Sequence, residues 1–160
     1  MKEGKWSFPT QVNFGANCVN ALPSLVLEEG KASRVLVVTD PGLVDLPPLV
    51  KVLDVLQTAG IAHSLYSDIS PNPTAADVMS GAEAYRFADC TTIVGVGGGS
   101  AMDGAKAIAL MAHHPGSIED YDERVGGDEK IGSSPVPPII TIPTTAGTGS
   151  EVGRATVVVH

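Results

Sequence analysis

The chain has 160 residues, of which 43% are hydrophobic, 4% aromatic and 18% charged, and its formal net charge is -8 at pH 7. This length and composition predict one globular domain, alone or with a small appendage, and exclude a disordered chain. The negative charge argues against nucleic acid and against an anionic membrane surface as partners, and we expect neither. Cys18 and Cys90 form no CxxC pair, no signal-peptide pattern follows Lys2 and Lys5, and no apolar run is long enough to span a membrane. We therefore expect a cytoplasmic protein with reduced thiols.

The N-terminal segment combines an alternating pattern with a helical one. Apolar residues at alternate positions, among them Trp6, Phe8, Val12 and Phe14, predict a short β-strand or hairpin. Asn17 is then a candidate cap for a helix that runs to Glu29 and is ended by Gly30.

Strand and helix patterns alternate through the rest of the chain. Four short apolar segments have the composition of buried strands, at residues 34–39, 61–66, 92–96 and 139–142. Helical patterns separate them: one is opened by Pro47 and Pro48, one is capped by Thr74 and one follows residues 97–99. This alternation predicts an α/β fold of the Rossmann-like type, an open parallel sheet with helices on both faces.

The polar segment at residues 117–134 interrupts this alternation and is rich in Asp and Glu. We expect it to be a solvated surface excursion. A calcium-binding loop is the alternative, although the segment lacks the spacing of the twelve-residue motif.

A glycine-rich loop lies between the third strand and its helix. Gly97, Gly98 and Gly99 allow a sharp turn and a close approach of a ligand, and Ser100 and Asp103 form a Ser-x-x-Asp capping pattern for the helix. Strand, glycine loop and capped helix together favour binding of an anion such as phosphate. The alternative is a turn that only packs helix against sheet, since the dinucleotide fingerprint Gly-x-Gly-x-x-Gly is met only with Ser100 in its third place.

Two further candidate sites follow predicted strands. The loop at residues 144–151 is rich in Thr, Ser and Gly, which suits hydrogen bonding to a ribose or an amide, or else a turn stabilised by its own side chains. Asp40 follows the first predicted strand, where a carboxylate is able to accept both hydroxyls of an adenosine ribose; a simple Asp-Pro-Gly turn is the alternative. Because the carboxyl ends of parallel strands share one edge of a sheet, these features are able to face one crevice.

Two motifs give the chain a resemblance to the iron-containing (group III) alcohol dehydrogenase family. They are Gly97-Gly98-Gly99-Ser100-x-x-Asp103-x-Ala105-Lys106 and Pro143-Thr144-Thr145-Ala146-Gly147-Thr148-Gly149-Ser150-Glu151. Asp40, the Pro-Asn-Pro-Thr turn at residues 71–74 and the opening at residues 8–15 match that family's N-terminal domain in the same order. The resemblance implies NAD(P)H-dependent interconversion of an alcohol and an aldehyde or ketone, assisted by one divalent metal ion.

The resemblance also implies roles for individual residues. The pyrophosphate cradle is implied for Gly97, Gly98, Gly99 and Ser100. Asp40 is implied to hold the adenine ribose and to favour NAD over NADP. Contacts near the nicotinamide half are implied for Thr144, Thr145, Thr148 and Ser150. Asn72 is implied to lie in a turn that borders the adenosine side.

The metal ligands of the family, an aspartate and three histidines, belong to a second, helical domain. We therefore expect a single dinucleotide-binding domain over residues 1–160, with neither catalytic nor metal-ligating residues and with iron or zinc bound only in the full-length enzyme. The adjacent His113 and His114 do not replace that set, because neighbours on a helix point about 100° apart. The chain alone is expected to perform no hydride transfer.

Three functional hypotheses follow from these observations. The first is the NAD(H)-binding domain of a metal-dependent alcohol dehydrogenase that acts on a small alcohol or aldehyde and forms a homo-oligomer. The second is a stand-alone, non-catalytic nucleotide-binding module. The third is the related glycerol dehydrogenase or dehydroquinate synthase branch, against which the 144–151 loop argues.

Overall fold

The computed structural model describes residues 10–30, 34–132 and 134–159. Its sheet has four parallel strands, β1 (Val35–Val38), β2 (His63–Tyr66), β3 (Thr92–Gly97) and β4 (Ile139–Pro143), in the spatial order β2-β1-β3-β4. The helices are α1 (Leu22–Gly30), α2 (Pro47–Thr58), α3 (Ala75–Phe87) and α4 (Gly99–Met111). The predicted α/β fold with an open parallel sheet is confirmed.

Both faces of the sheet are covered, and β1 illustrates why. All four of its residues are fully buried, as expected for a central strand of a parallel sheet. Because successive side chains of a strand point to opposite faces, Leu36 and Val38 join the cluster that contains α3 and α4, while Val35 and Val37 join the cluster that contains α1 and α2. The strand is therefore the common wall of two hydrophobic layers.

The strand order creates a crevice between β1 and β3. The chain leaves β1 through α2 on one face to reach the outer strand β2, and then returns through α3 on the other face to reach β3, beside β1. The connections that follow β1 and β3 therefore diverge to opposite faces of the sheet. Ligands of open α/β sheets bind at such a point, outside the carboxyl ends of the strands.

The segment between α4 and β4 is less solvated than its composition predicts. It folds into three short 3₁₀ helices, Ile118–Tyr121, Glu123–Val125 and Gly127–Lys130. A capping box between Ser117 and Asp120 begins the first of them, and Ile118 and Tyr121 are buried in the cluster with α3 and α4. The prediction of a wholly solvated excursion is wrong for these two residues, because two apolar side chains are enough to anchor an otherwise acidic segment.

His114 fastens the far end of the same segment. Its Nδ1 donates to the carbonyl of Leu110 at 2.8 Å, and its Nε2 accepts from the N–H of Gly132 at 3.3 Å. Both ring nitrogens of His114 are thus engaged by backbone groups, and the end of the segment is held against the end of α4.

The predicted N-terminal strand or hairpin is not found in the part of it that the structure describes. Residues 10–14 have no regular structure, and Val12 and Phe14 are exposed, whereas residues 1–9 lie outside the described residues. Asn17 adopts a left-handed conformation and makes no side-chain capping bond, so α1 is preceded instead by a 3₁₀ turn, Cys18–Ala21. Among the described helices, none has the length and apolar character needed to cross a membrane.

Candidate functional site

The glycine loop lies at the carboxyl end of β3 and is fixed by packing. Gly97 has φ of +149°, and a Cβ placed there would lie 2.6 Å from the Cβ of Ala101 and 3.3 Å from Oδ2 of Asp40. No other residue type satisfies both conditions without a shift of the backbone. The carbonyl of Gly97 also accepts from the N–H of Thr144 at 2.9 Å, which ties the loop to the end of β4.

The helix that follows this loop begins earlier than predicted. Its N-cap is Gly98, which lacks a side chain for capping, and the first bond of the helix runs from the N–H of Met102 to the carbonyl of Gly98. The predicted Ser100-Asp103 capping pair is therefore wrong: both residues lie inside α4, and Asp103 contacts other groups. With no side-chain cap, the first-turn N–H groups and the positive end of the helix dipole remain available to an anion.

Asp40 borders the glycine loop from the end of β1. Its Oδ1 accepts from the N–H of Gly42 at 2.9 Å and thereby caps a short 3₁₀ helix, Pro41–Leu43. The carboxylate is half-buried, with Oδ2 turned toward Gly97. Asp40 therefore shapes the turn, as one of the two sequence interpretations predicts, and its Oδ2 faces the glycine loop. Its contact with a ribose stays a prediction. The neighbouring Thr39, which sequence reasoning missed, is buried and donates from Oγ1 to the carbonyl of Val96 at 2.9 Å, joining β1 to β3.

The loop after β4 forms the opposite border of the crevice. A methyl group on Gly98 would lie 3.5 Å from Oγ1 of Thr145, and one on Gly99 would lie 3.4 Å from Cβ of Thr148. Residues 144–149 are otherwise exposed. Three of the four predicted site residues of this loop are therefore brought to the glycine loop: Thr145 and Thr148 lie beside it, and the N–H of Thr144 is bonded to it directly.

Side-chain bonds inside this loop define its shape. Oγ1 of Thr148 accepts from the N–H of Ser150 at 3.3 Å and donates to Oε2 of Glu151 at 2.9 Å. The backbone N–H of Glu151 and the Thr148 hydroxyl lower the pKa of the Glu151 carboxyl. Thr148 thus stabilises its own turn, which is the alternative that the sequence left open for this loop.

Ser150 points away from the crevice and toward α4. Its hydroxyl donates to Oδ1 of Asp103 and accepts from Nζ of Lys106 at 3.2 Å. Asp103 and Lys106 were not among the predicted site residues, although both belong to the motif that carries the resemblance. Their spacing of three on one helix is the sequence signal for such a pair.

The turn that contains Asn72 contacts α4 through its neighbour. The hydroxyl of Ser100 donates to the carbonyl of Pro71, and Asn72 itself is exposed. A capping box between Thr74 and Asp77 fixes this turn at the start of α3, since Oδ2 of Asp77 also accepts from the N–H of Ser70 at 3.2 Å. Burial raises the pKa of Asp77, but the hydrogen bonds from Thr74 and Ser70 outweigh it, so the net shift is downward.

A second hollow lies on the far side of residue 150. It is a cavity of about 840 Å³ between α4, β4, the 118–131 segment and residues 150–158, with Lys106, Tyr121 and Thr141 among its lining residues. None of the glycine-loop residues lines it. Across residues 10–30, 34–132 and 134–159, no three His, Cys, Asp or Glu side chains are grouped so as to hold a metal ion.

The fold and the crevice at its topological switch point define the chain as a Rossmann-like α/β domain. The sequence profile described as iron-containing alcohol dehydrogenase matches residues 9–160, and the chain belongs to this family. The resemblance drawn from the two motifs is thereby confirmed.

Individual relatives agree with this assignment. The chain is 40% identical over 153 residues to choline dehydrogenase of Bacillus subtilis, covering 96% of this chain and 37% of that protein. An iron-containing alcohol dehydrogenase of Thermotoga maritima superposes with a TM-score of 0.78 at 34% identity, covering 92% of this chain and 40% of the other. Sulfoacetaldehyde reductase from Bifidobacterium kashiwanohense, solved in complex with NAD+, gives a TM-score of 0.74 at 31% identity, with 94% and 38% covered. The chain thus spans less than half the length of these relatives.

Proposed function

We propose that the chain is the NAD(H)-binding part of a metal-dependent alcohol dehydrogenase, which interconverts alcohols and aldehydes or ketones by hydride transfer. One observation carries this proposal: Asp40, Gly98 and Thr145 follow three different strands and border one crevice. Membership of the iron-containing alcohol dehydrogenase family supports it. The NAD+ complex of the sulfoacetaldehyde reductase supports the choice of cofactor.

In this proposal the glycine loop and the start of α4 receive the pyrophosphate. The N–H groups of the first helical turn donate to its oxygens, and the helix dipole offsets part of its charge. Gly98 has φ of -77°, which other residue types also adopt. Its lack of a side chain therefore matters because it keeps the space in front of the loop open for the pyrophosphate. Ser100 contributes its N–H group, while its hydroxyl holds the turn of Asn72 at the adenosine side.

Asp40 selects the cofactor. Its carboxylate is oriented by the bond from Gly42 and accepts the two hydroxyls of the adenine ribose. A 2′-phosphate at the same place would be repelled, by roughly 4 kcal/mol at about 4 Å with an effective dielectric constant near 20, before screening by salt. NAD(H) is therefore preferred to NADP(H).

The loop after β4 accommodates the nicotinamide half. Thr144 and Thr145 provide hydroxyls at the border of the crevice, and Thr148 packs over Gly99. Ser150 acts from behind the loop, since its hydroxyl is engaged by α4.

The remaining chemistry belongs to a longer polypeptide. A divalent metal ion, iron or zinc, supplies a Lewis acid that stabilises the developing alkoxide. The described residues have no ligand set for it, and we place its ligands and most of the substrate pocket in a second domain. The 160 residues alone are then expected to bind cofactor without turnover.

We further propose a cytoplasmic homo-oligomer. β4 is an edge strand of the described sheet, and Val157 beyond it is 68% exposed. Unpaired strand edges beside apolar side chains favour association. Size-exclusion chromatography with light scattering tests this point, and a monomer at micromolar concentration would contradict it.

Chemical-shift mapping of the ¹⁵N-labelled chain with NAD+ tests the binding proposal. We expect the largest shifts at the amides of residues 97–101, at Gly42 beside Asp40 and at residues 144–150. Shifts confined to the 840 Å³ cavity, or none at millimolar NAD+, would contradict it.

The sequence that follows residue 160 in the gene separates the dehydrogenase from the stand-alone module. A reading frame that continues with an aspartate and three histidines supports the first. A stop codon directly after residue 160 supports the second.

A further inference from the structure

A nearly buried ion pair on α4 lies behind the loop that follows β4. Nζ of Lys106 is 2.9 Å from Oδ1 of Asp103, and the two side chains are only 9% and 15% exposed. An ammonium group in such a place is costly unless every donor finds an acceptor. The arrangement therefore depends on what else surrounds the pair.

Lys106 finds its other acceptors in the segment after Thr148. Its Nζ lies 3.0 Å from the carbonyl oxygen of Ser150, 3.3 Å from that of Gly153 and 2.6 Å from that of Ala155. Three carbonyl groups of an irregular segment thus converge on a single ammonium group.

Asp103 holds the same segment further along. Its Oδ1 accepts from the hydroxyl of Ser150, and its Oδ2 accepts from the N–H of Val157 at 3.3 Å. Its own carbonyl oxygen accepts from Oγ1 of Thr156 at 2.7 Å. Residues 150–157 are therefore bound to one turn of α4 by both members of the ion pair.

We infer that Lys106 and Asp103 are positioning residues, a clamp that sets the loop after β4 at the cofactor crevice. The loop has two fixed ends: Thr144 is bonded to Gly97, and Ser150 is bonded to the clamp. Thr145 and Thr148 lie between these ends and are exposed, so their place beside the glycine loop depends on both anchors. The geometry of this clamp is independent of the proposed function, and only its expected effect on NAD(H) binding rests on that function.

A second Lys–Asp pair of the same spacing provides a matched control. Lys51 and Asp54 are 3.7 Å apart on α2, with side chains 50% and 63% exposed. Such exposed pairs contribute little to stability. Lys51→Met therefore removes one positive charge, as Lys106→Met does, but it leaves no buried carboxylate without its partner.

The test combines amide hydrogen exchange with NADH titration of the 160-residue chain. In Lys106→Met we expect exchange at residues 144–157 to quicken by about tenfold or more and NADH to bind about tenfold more weakly, as loss of charged hydrogen bonds predicts. Exchange in β1 and β3 should stay as in the parent chain. Lys51→Met should change none of these quantities.

Chemical rescue distinguishes positioning from general stability. Lys106→Ala leaves a space lined by the Asp103 carboxylate and three carbonyl groups, and it opens on the 840 Å³ cavity. Propylammonium, which replaces the missing atoms, should restore slow exchange at residues 144–157 and most of the NADH affinity. It should have no effect on Lys51→Ala.

Each outcome bears on one proposal. Unchanged exchange at residues 144–157 in Lys106→Met overturns the clamp, as does exchange that quickens equally throughout the chain. If that variant does not fold, Ser150→Ala takes its place, with a smaller quickening confined to residues 144–157 expected and its absence contradictory. Failure of the parent chain to bind NADH would overturn the proposed function, while the exchange pattern would still decide the clamp.

Discussion

The two loops that border the crevice are held in place by different means. The glycine loop at residues 97–100 is set by close packing, since Gly97 is buried and any added atom there meets Ala101. The loop at residues 144–149 is exposed, and a methyl group added to Gly147 within it would meet no other atom within 4 Å. Its position comes from polar contacts at its two ends. The glycine loop therefore depends on the absence of a side chain at Gly97. The loop at residues 144–149 depends on a backbone hydrogen bond at one end and on an ion pair at the other.

The largest expected effect comes from adding one methyl group to each of the two loops in turn. Gly97→Ala should lower the free energy of unfolding by about 2–4 kcal/mol, because a strained φ and a steric clash add together. Gly147→Ala, at φ of +90° and in open space, should cost only about 1–2 kcal/mol. Urea denaturation of both variants measures the difference, and equal losses would show that packing does not fix the glycine loop.

Gly98→Val sharpens the comparison within the glycine loop. Gly98 needs no special backbone conformation, and the nearest atom to an added methyl group is Oγ1 of Thr145 at 3.5 Å. The fold should survive, while NADH affinity falls by a factor that corresponds to about 1.5–3 kcal/mol of lost charged hydrogen bonds. Thermal unfolding and NADH titration check the two halves of this prediction. If the folded variant binds NADH as tightly as the parent chain, the glycine loop is only a turn that packs helix against sheet.

A smaller effect concerns the turn that contains Asn72, which the Ser100 hydroxyl joins to α4. The pKa of Asp77 is lowered in the folded chain, so its capping bonds stabilise the fold above the ordinary carboxyl pKa, and this contribution is lost as the pH falls through the folded value. Asp77→Asn should cost about 1 kcal/mol at neutral pH, a typical value for a helix cap. The cost should vanish in acid. Denaturation at several pH values measures it, and a difference independent of pH would contradict the capping role.

The order of strands and helices could be predicted from local pattern. The fully apolar run at Val35–Val38 and the proline pair at the start of α2 each identify their element without reference to the rest of the chain. Asp40 and the glycine loop could also be placed at one edge, because carboxyl ends of parallel strands share it.

Features that depend on distant contacts could not be predicted in the same way. The Ser100-x-x-Asp103 spacing is typical of a capping box, but Gly98 begins the helix and Asp103 pairs with Lys106 and Ser150. Of these two partners of Asp103, Ser150 lies 47 positions away in the sequence, and no local pattern indicates that contact. Burial of Tyr121 within an acidic segment has the same origin, since the surface that covers it belongs to other elements.

Paired titration of the 160-residue chain with NADH and NADPH tests the central claim most directly, because it measures the role that we propose for the Asp40 carboxylate at the adenine ribose. We predict that NADH binds at least about tenfold more tightly than NADPH, as repulsion between carboxylate and 2′-phosphate requires. Asp40→Gly should narrow this gap. Equal affinities for the two cofactors in the unmodified chain, or binding of neither, would contradict the account.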